Sequence, residues 1–265
     1  MSTGRGAERI SAAIRGARAR GETALVAYLT AGYPHREQFA ADLQALARVA
    51  DVIEVGVPFT DPMADGVTIQ RSSQAALAQG VSLGWILAEL GARAGATRAA
   101  ADGPVLLMSY LNPLLAFGLE RLAQAAARAG VSGFIVPDLP FDESSPLTAA
   151  LAAEGLALVQ MVTPVTRPAR LQAVCAASEG FVYAVTMTGT TGKSVAVPPE
   201  VTRYLDAVRA RSPVPVCAGF GIRGHEQLEL LRDHVDGVVV GSALVEVLER
   251  GGDPAHWLRE LRGHS

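Results

Sequence analysis

Eight short apolar runs, each followed by a stretch of helical periodicity, recur along this chain, and that alternation leaves few folds open. The runs are 24–29, 52–57, 105–108, 133–136, 156–162, 181–185, 214–218 and 237–240. Between them, helical patterns occupy 38–49, 118–129, 144–154, 170–177, 200–211, 225–233 and 243–249. Several of the runs carry no polar residue on either face, as parallel strands covered on both sides do. The seventh begins Pro213-Val214-Pro215, and proline is tolerable there only at a strand's start. Eight β/α units in one chain of 265 residues predict an α/β fold, a single (β/α)8 TIM barrel spanning 1–265. An open doubly wound sheet is the competing fold. It usually carries a GxGxxG turn after its first strand, and Thr30-Ala31-Gly32-Tyr33-Pro34 is not one. Ahead of the first run, 5–20 reads as an extra N-terminal amphipathic helix, with Ile10 and Ile14 one turn apart.

Two units are longer than the rest. The second, from 52 to 105, has room for an acidic loop and two helical patterns, 69–78 and 83–94. The sixth, from 181 to 214, holds the Gly/Thr-rich stretch Thr186-Met187-Thr188-Gly189-Thr190-Thr191-Gly192-Lys193-Ser194. Extra length after a barrel strand falls on the C-terminal face, where active sites are built, and long loops in compact domains are usually functional. The Ala-rich stretch 92–101 reads as a helix end or helix connection.

Composition narrows the function classes. At 49 % hydrophobic and 18 % charged residues the chain has material for a large core, which argues against disorder. A net charge of −3 gives no reason to expect a nucleic-acid or membrane partner. Cys175 and Cys217 form no CxxC or Cys/His spacing, so two free thiols in a reducing cytoplasm are expected. Arg5, Arg9, Arg15, Arg18 and Arg20 have no apolar region behind them, unlike a secretory signal. No apolar run reaches the roughly 18 to 20 residues of a membrane span. The five histidines are scattered, so no metal is expected.

Chemistry concentrates after the second and the last two strands. In the second run, side-chain alternation puts Ile53, Val55 and Val57 on one face and Val52, Glu54 and Gly56 on the other. If the former face the helices, Glu54 points into the barrel, where desolvation raises its pKa and suits it to general-acid work. Asp65, on the loop above and nearer water, is expected to stay ionised; two acids pushed toward different protonation states divide acid and stabilising roles. Prolines at 58 and 62 stiffen that loop. Strand seven ends in Cys217-Ala218-Gly219-Phe220-Gly221-Ile222, and strand eight in Val240-Gly241-Ser242 directly before a helix. Glycines there let backbone N–H groups approach an anion, and Ser242 adds a hydroxyl at a helix N-terminus, which predicts a phosphate site. Tyr110 and Tyr183 are candidate substrate-binding residues, as ring walls for an aromatic ligand or as hydroxyl donors, against a plain core role. Asp138, just after the fourth run, is a loop organiser, an interface residue or a catalyst.

The stretch Glu54-Val55-Gly56-Val57-Pro58-Phe59-Thr60-Asp61-Pro62-Met63-Ala64-Asp65-Gly66, with Ile69-Gln70 following, resembles the signature of the tryptophan synthase alpha chain family. The resemblance continues through Leu29-Thr30-Ala31-Gly32-Tyr33-Pro34, Ser109-Tyr110-Leu111-Asn112-Pro113, Val136-Pro137-Asp138-Leu139-Pro140 and Gly219-Phe220-Gly221-Ile222, and covers about 8–262. It implies a barrel that cleaves indole-3-glycerol phosphate to indole and glyceraldehyde 3-phosphate by a retro-aldol reaction. It makes Glu54 the catalytic glutamate, Asp65 the catalytic aspartate that pairs with the indole N–H, and Tyr183 an active-site tyrosine. Gly192, Gly221, Gly241 and Ser242 match phosphate binders, and Thr191 matches a lid threonine that helps to hold Asp65. The lid departs from the Ser-x-x-Gly-Val-Thr-Gly of many members, with Thr190 in place of valine. The implied partner is a tryptophan synthase beta chain in an α2β2 heterotetramer, facing Pro58 and Asp61. Pyridoxal phosphate is expected only in that partner. A stand-alone lyase of a specialised pathway and a weak barrel kept as allosteric partner of beta are the alternatives; the retained Glu54 and Asp65 count against the second of these.

Overall fold

The computed structural model describes residues 4–96, 103–186, 197–219 and 221–264. Eight parallel strands close into a barrel in sequence order. They are β1 (Ala24–Thr30), β2 (Val52–Gly56), β3 (Val105–Met108), β4 (Val131–Ile135), β5 (Ala157–Val162), β6 (Val182–Val185), β7 (Val216–Gly219) and β8 (Gly237–Val240). The helices are α1 (Arg5–Ala19), α2 (Phe39–Ala47), α3 (Val67–Ala78), α4 (Leu83–Ala96), α5 (Leu111–Phe117) and α6 (Leu119–Arg128). They continue with α7 (Ser145–Ala153), α8 (Pro168–Ala177), α9 (Pro199–Arg209), α10 (His225–Leu231), α11 (Ser242–Glu249) and α12 (Pro254–Arg262).

Strand alternation sorts the core into two layers. Leu25, Ala27 and Leu29 of β1 and Ile53 and Val55 of β2 face outward and pack with Phe39, Leu43 and Leu46 of α2. Ala24, Val26, Val52, Leu106, Ile135 and Val159 fill the interior. The expected N-terminal helix joins that inner layer: Ala7, Ile10, Ile14 and Ala17 of α1 are buried with it. Its hydrogen bonds run to residues that precede strands, Gly6 N–H to Gly155 O at 2.9 Å and Ser11 Oγ to Gly180 O at 2.6 Å, so α1 closes the N-terminal end of the barrel. A β-carbon at position 6 would lie 2.0 Å from Ser132 O, which is why glycine stands in the first turn of the helix. Burying Ile10 and Ile14 stabilises this closure by about 1.5–3 kcal/mol each.

Two helices go beyond the sequence expectation. The short α5 holds Pro113 in its first turn, where a missing N–H costs nothing. The C-terminal α12 has a complete set of end signals: Asp253 Oδ1 accepts from Ala255 N–H (2.8 Å) and His256 N–H (3.2 Å), Pro254 follows, and Gly263 ends it at φ +85°. Arg262 of α12 reaches the other side of the barrel base, where its Nη2 lies 2.5 Å from Asp51 Oδ2. The same oxygen accepts Leu25 N–H at 2.9 Å, and Arg20 binds Asp51 Oδ1 at 3.0 Å. Strand ends differ by a residue or two for local reasons. The seventh strand starts at Val216 because Pro213 and Pro215 have no N–H to give, and β4 starts at Val131 beside a register shift between Val105 and Leu106. The Ala-rich stretch proves to be the end of α4 as far as Ala96; its remainder lies outside the described residues. No single helix among the described residues is long and apolar enough to cross a membrane.

Candidate active site

Glu54 sits in the middle of β2 with its side chain inside the barrel, in register with Tyr28 of β1 and Leu106 of β3. It is 2 % exposed, and among the described residues its Oε2 has no hydrogen-bond partner. Burial, and secondarily the charge of Asp65, push its pKa up to about 8, as the alternation of β2 predicts. Asp65 is half-buried on the loop between β2 and α3. Burial raises it to about 6 while a hydrogen bond from Tyr110 opposes the rise. It is therefore mostly ionised at pH 7, as expected, but less exposed to water than its loop position suggested. Its backbone is held on both sides: its N–H donates to Pro62 O at 3.1 Å, and Gln70 Nε2 donates to its carbonyl at 2.8 Å. Between roughly pH 6 and 8 the strand acid is neutral and the loop acid charged.

A cavity of ≈ 350 Å³ opens beside these two carboxyls, a size that suits a small ligand. Its walls are largely apolar, with Met108, Ile135, Met161 and Tyr183 from β3 to β6 and Phe141 from the loop after β4. Tyr183 is buried and its phenol is pushed well above the ordinary value, chiefly by burial, so it stays protonated. Tyr28, which the sequence did not single out, behaves the same way. Both rings occupy room that two strand-end glycines leave free. A β-carbon at Gly56 would lie 2.1 Å from Tyr28 Oη, and one at Gly219 would lie 2.3 Å from Tyr183 Oη. The Tyr28 hydroxyl lies 3.2 Å from Thr30 Oγ1, which is 2.7 Å from Ser72 Oγ on α3.

The remaining predicted residues separate into groups. Gly221 (φ +87°) and Gly241 with Ser242 stand at the C-terminal ends of the adjacent strands β7 and β8, outside the wall of that cavity. Tyr28 lies between the two regions: a β-carbon at Gly241 would be 3.7 Å from its ring, and Glu54 is its register partner. The first turn of α11 has no side-chain cap, so its amides have no partner from that source. The nearby cation Arg223 is engaged, with both Nη atoms on Glu246 at 2.9 and 3.1 Å. Thr191 and Gly192 lie outside the described residues. Tyr110 is not part of the cavity wall; it is turned into the loop after β2, where its Oη accepts Ala64 N–H at 2.9 Å. Asp138 is a loop organiser, since its Oδ1 accepts Leu111 N–H at 2.9 Å. Pro58 is buried at the end of β2, whereas Asp61 is exposed and Met63 is 90 % exposed. Among the described residues no group of three or more His, Cys, Asp or Glu side chains is arranged to hold a metal.

The family model described as tryptophan synthase alpha chain matches residues 14–261. The tryptophan synthase alpha chain of Solidesulfovibrio magneticus is 47 % identical over 246 residues, 92 % of this chain and 94 % of that one. That of Nitratidesulfovibrio vulgaris is 46 % identical over 254 residues, 96 % and 97 % of the two chains. Among solved structures, tryptophan synthase from Mycobacterium tuberculosis superposes with a TM-score of 0.86 at 38 % identity, covering 96 % of this chain and 97 % of that one. Tryptophan synthase subunit alpha from Legionella pneumophila gives 0.85 at 31 % identity, with the same coverage of 96 % and 97 %. With a closed barrel, an acid on its second strand and this likeness along almost its whole length, the chain belongs to the tryptophan synthase alpha chain family.

Proposed function

We propose that Glu54 and Asp65 are the residues that perform this family's cleavage in this chain. The observation that carries the assignment is a neutral acid on a rigid strand beside an ionised one on a loop, both at one apolar cavity. The enzyme is a carbon–carbon lyase: it splits indole-3-glycerol phosphate into indole and glyceraldehyde 3-phosphate. Before the carbon–carbon bond breaks, the ring carbon that bears the side chain must take up a proton, and neutral Glu54 supplies it. Positive charge then develops on the ring nitrogen, where ionised Asp65 accepts the N–H and stabilises it. As the bond breaks, its electron pair returns to the ring and restores aromaticity, while the neighbouring hydroxyl becomes a carbonyl and releases its proton. Glu54, now a carboxylate, takes that proton and regains its starting state.

The rest of the substrate follows from the same frame. The indole lies between Met108, Met161 and Tyr183. The phosphate is held by backbone N–H groups at Gly221 and Gly241 with the Ser242 hydroxyl, because Arg223 is already neutralised by Glu246. Gly192 and Thr191 complete this by resemblance. The partner is a beta chain that receives indole and carries the pyridoxal phosphate, while this chain needs no cofactor of its own. It docks on the C-terminal face, where Asp61 and Met63 of the loop after β2, Leu115 of α5 and Val165 of the loop after β5 are exposed. We place this complex in the cytoplasm.

The test is indole release from indole-3-glycerol phosphate by wild type and Glu54→Gln, with and without a purified cognate beta chain. Wild type is expected to work slowly alone and faster with beta, and Glu54→Gln to lose about 10² to 10⁴ in rate. A variant within about threefold of wild type defeats the assignment of Glu54.

A further inference from the structure

Three loops of the barrel mouth meet at Tyr110. Its ring stacks on Phe59 of the loop after β2, with centroids 5.2 Å apart and planes 28° from parallel. Its hydroxyl oxygen accepts Ala64 N–H of the same loop at 2.9 Å. One residue further, Leu111 N–H is held by Asp138 of the loop after β4 at 2.9 Å. Tyr110 itself is only 3 % exposed, although Ala64 beside it is exposed. With an amide donating into its oxygen, the phenol keeps one proton to give, and Asp65, the residue after Ala64, is the first among the charged groups acting on it. Tyr110 contributes nothing to the cavity wall, so that proton is not offered to a ligand there.

We infer that Tyr110 is a positioning residue for Asp65 and not a substrate contact: it receives the amide before Asp65 and donates to the carboxylate, fixing that carboxylate over the cavity. This rests on the reading of Asp65 given above. A bond from a neutral donor stabilises the ionised carboxylate, so its removal must make Asp65 harder to ionise. The other groups that face Asp65 are Glu54 from β2, Tyr28 from β1 and Tyr183 from β6, with Asp138 acting on Tyr110 from the β4 side. Of these, Tyr28 also feels Tyr110, as the smallest of the influences on it, and it stays protonated in either case.

The test is Tyr110→Phe, which keeps the ring and its stacking on Phe59. In the free full-length protein, the ¹³Cγ resonance of Asp65, identified by its loss in Asp65→Asn, is titrated in wild type and variant. The midpoint is expected to rise by about one pH unit. In the cleavage assay kcat is expected to fall about tenfold with KM within about twofold of wild type. An unmoved or lowered midpoint overturns the inference, as does a KM that rises tenfold with kcat intact, which is the mark of a substrate contact. If wild type releases no indole at all, the proposed function fails, and the titration still decides the role of Tyr110.

Discussion

Replacing Glu54 by Gln should make the protein more stable as well as inactive, and increasingly so as pH rises. Glutamine keeps the shape of the protonated side chain and removes its ability to ionise. In the folded chain burial holds the Glu54 value at about 8, whereas in the unfolded chain it returns to about 4.5. Because the folded value lies above the unfolded one, the wild type is at its full stability below pH 4.5 and loses stability as pH rises toward 8. At pH 7 the unfolded chain has released the proton and the folded chain still holds it. The interval from 4.5 to pH 7, at about 1.4 kcal/mol per pH unit, makes that loss about 3 kcal/mol. Above pH 8 both states are ionised and the loss stops growing. Three kcal/mol is a large part of the roughly 5–15 kcal/mol that holds a domain together, so the effect is measurable. Urea unfolding of wild type and Glu54→Gln at half-unit steps from pH 5 to 9 gives the difference directly. It should be small at pH 5, widen with a slope near 1.4 kcal/mol per unit, and level off near pH 8. A difference that stays flat with pH would falsify the claim that the barrel keeps this carboxyl neutral.

The pH dependence of kcat/KM should be bell-shaped with limbs near 6 and 8, values that belong to the coupled pair rather than to either acid alone, and a flat profile from pH 5 to 9 contradicts the pairing. Arg262→Met should lower unfolding free energy by about 2 kcal/mol, because Asp51, a carboxylate only 9 % exposed, keeps Arg20 and Leu25 N–H but loses its nearest cation; a loss below about 0.5 kcal/mol would mean that those two partners suffice. By calorimetry, affinity for glycerol 3-phosphate should fall more than about tenfold in Gly241→Val and only a few-fold in Ser242→Ala, since a β-carbon at 241 clears Tyr28 at 3.7 Å and threatens the anion rather than the fold; intact binding in Gly241→Val places the phosphate elsewhere. Asp61→Ala should leave slow cleavage by the isolated chain unchanged and reduce its acceleration by beta, and equal acceleration of both proteins removes Asp61 from the contact.

The strands were legible because they are covered on both faces and therefore mostly apolar, and Glu54 was legible because it breaks one of those runs. What escaped the sequence depends on closure. Tyr28 has no acidic residue close to it along the chain that would flag it; only pairing of β1 with β2 sets it beside Glu54. In the sequence Gly219 belongs to a glycine-rich phosphate stretch and Gly56 merely shares the face of Glu54, whereas in the fold each leaves the space that a tyrosine ring fills. Tyr110 reads as a ligand wall because it ends a barrel strand, yet its partner Ala64 lies 46 residues away on a loop whose path no local pattern specifies. Helix α5 was missed for the opposite reason: seven residues with a proline in the first turn are too few to show a period.

The two acids differ in what can change them. Glu54 is held between β1 and β3, in register with Tyr28 and Leu106, and those strands are fixed by barrel pairing. Its second influence, the charge on Asp65, is carried by a loop whose ties are hydrogen bonds to Pro62, Gln70 and Tyr110. Coulomb energy varies inversely with distance and grows as water is excluded. A contact that presses the loop inward therefore raises the Glu54 value and holds its proton more firmly, and one that draws the loop away releases it. A bound partner biases this balance only through contacts that differ between the two loop positions. Asp61 and Met63 are among the exposed loop residues able to make such contacts, whereas Pro58 is buried and Phe59 is committed to Tyr110. On the proposed reading, a partner would therefore act on the Glu54 proton through the position of Asp65, while the strand that carries Glu54 stays in place.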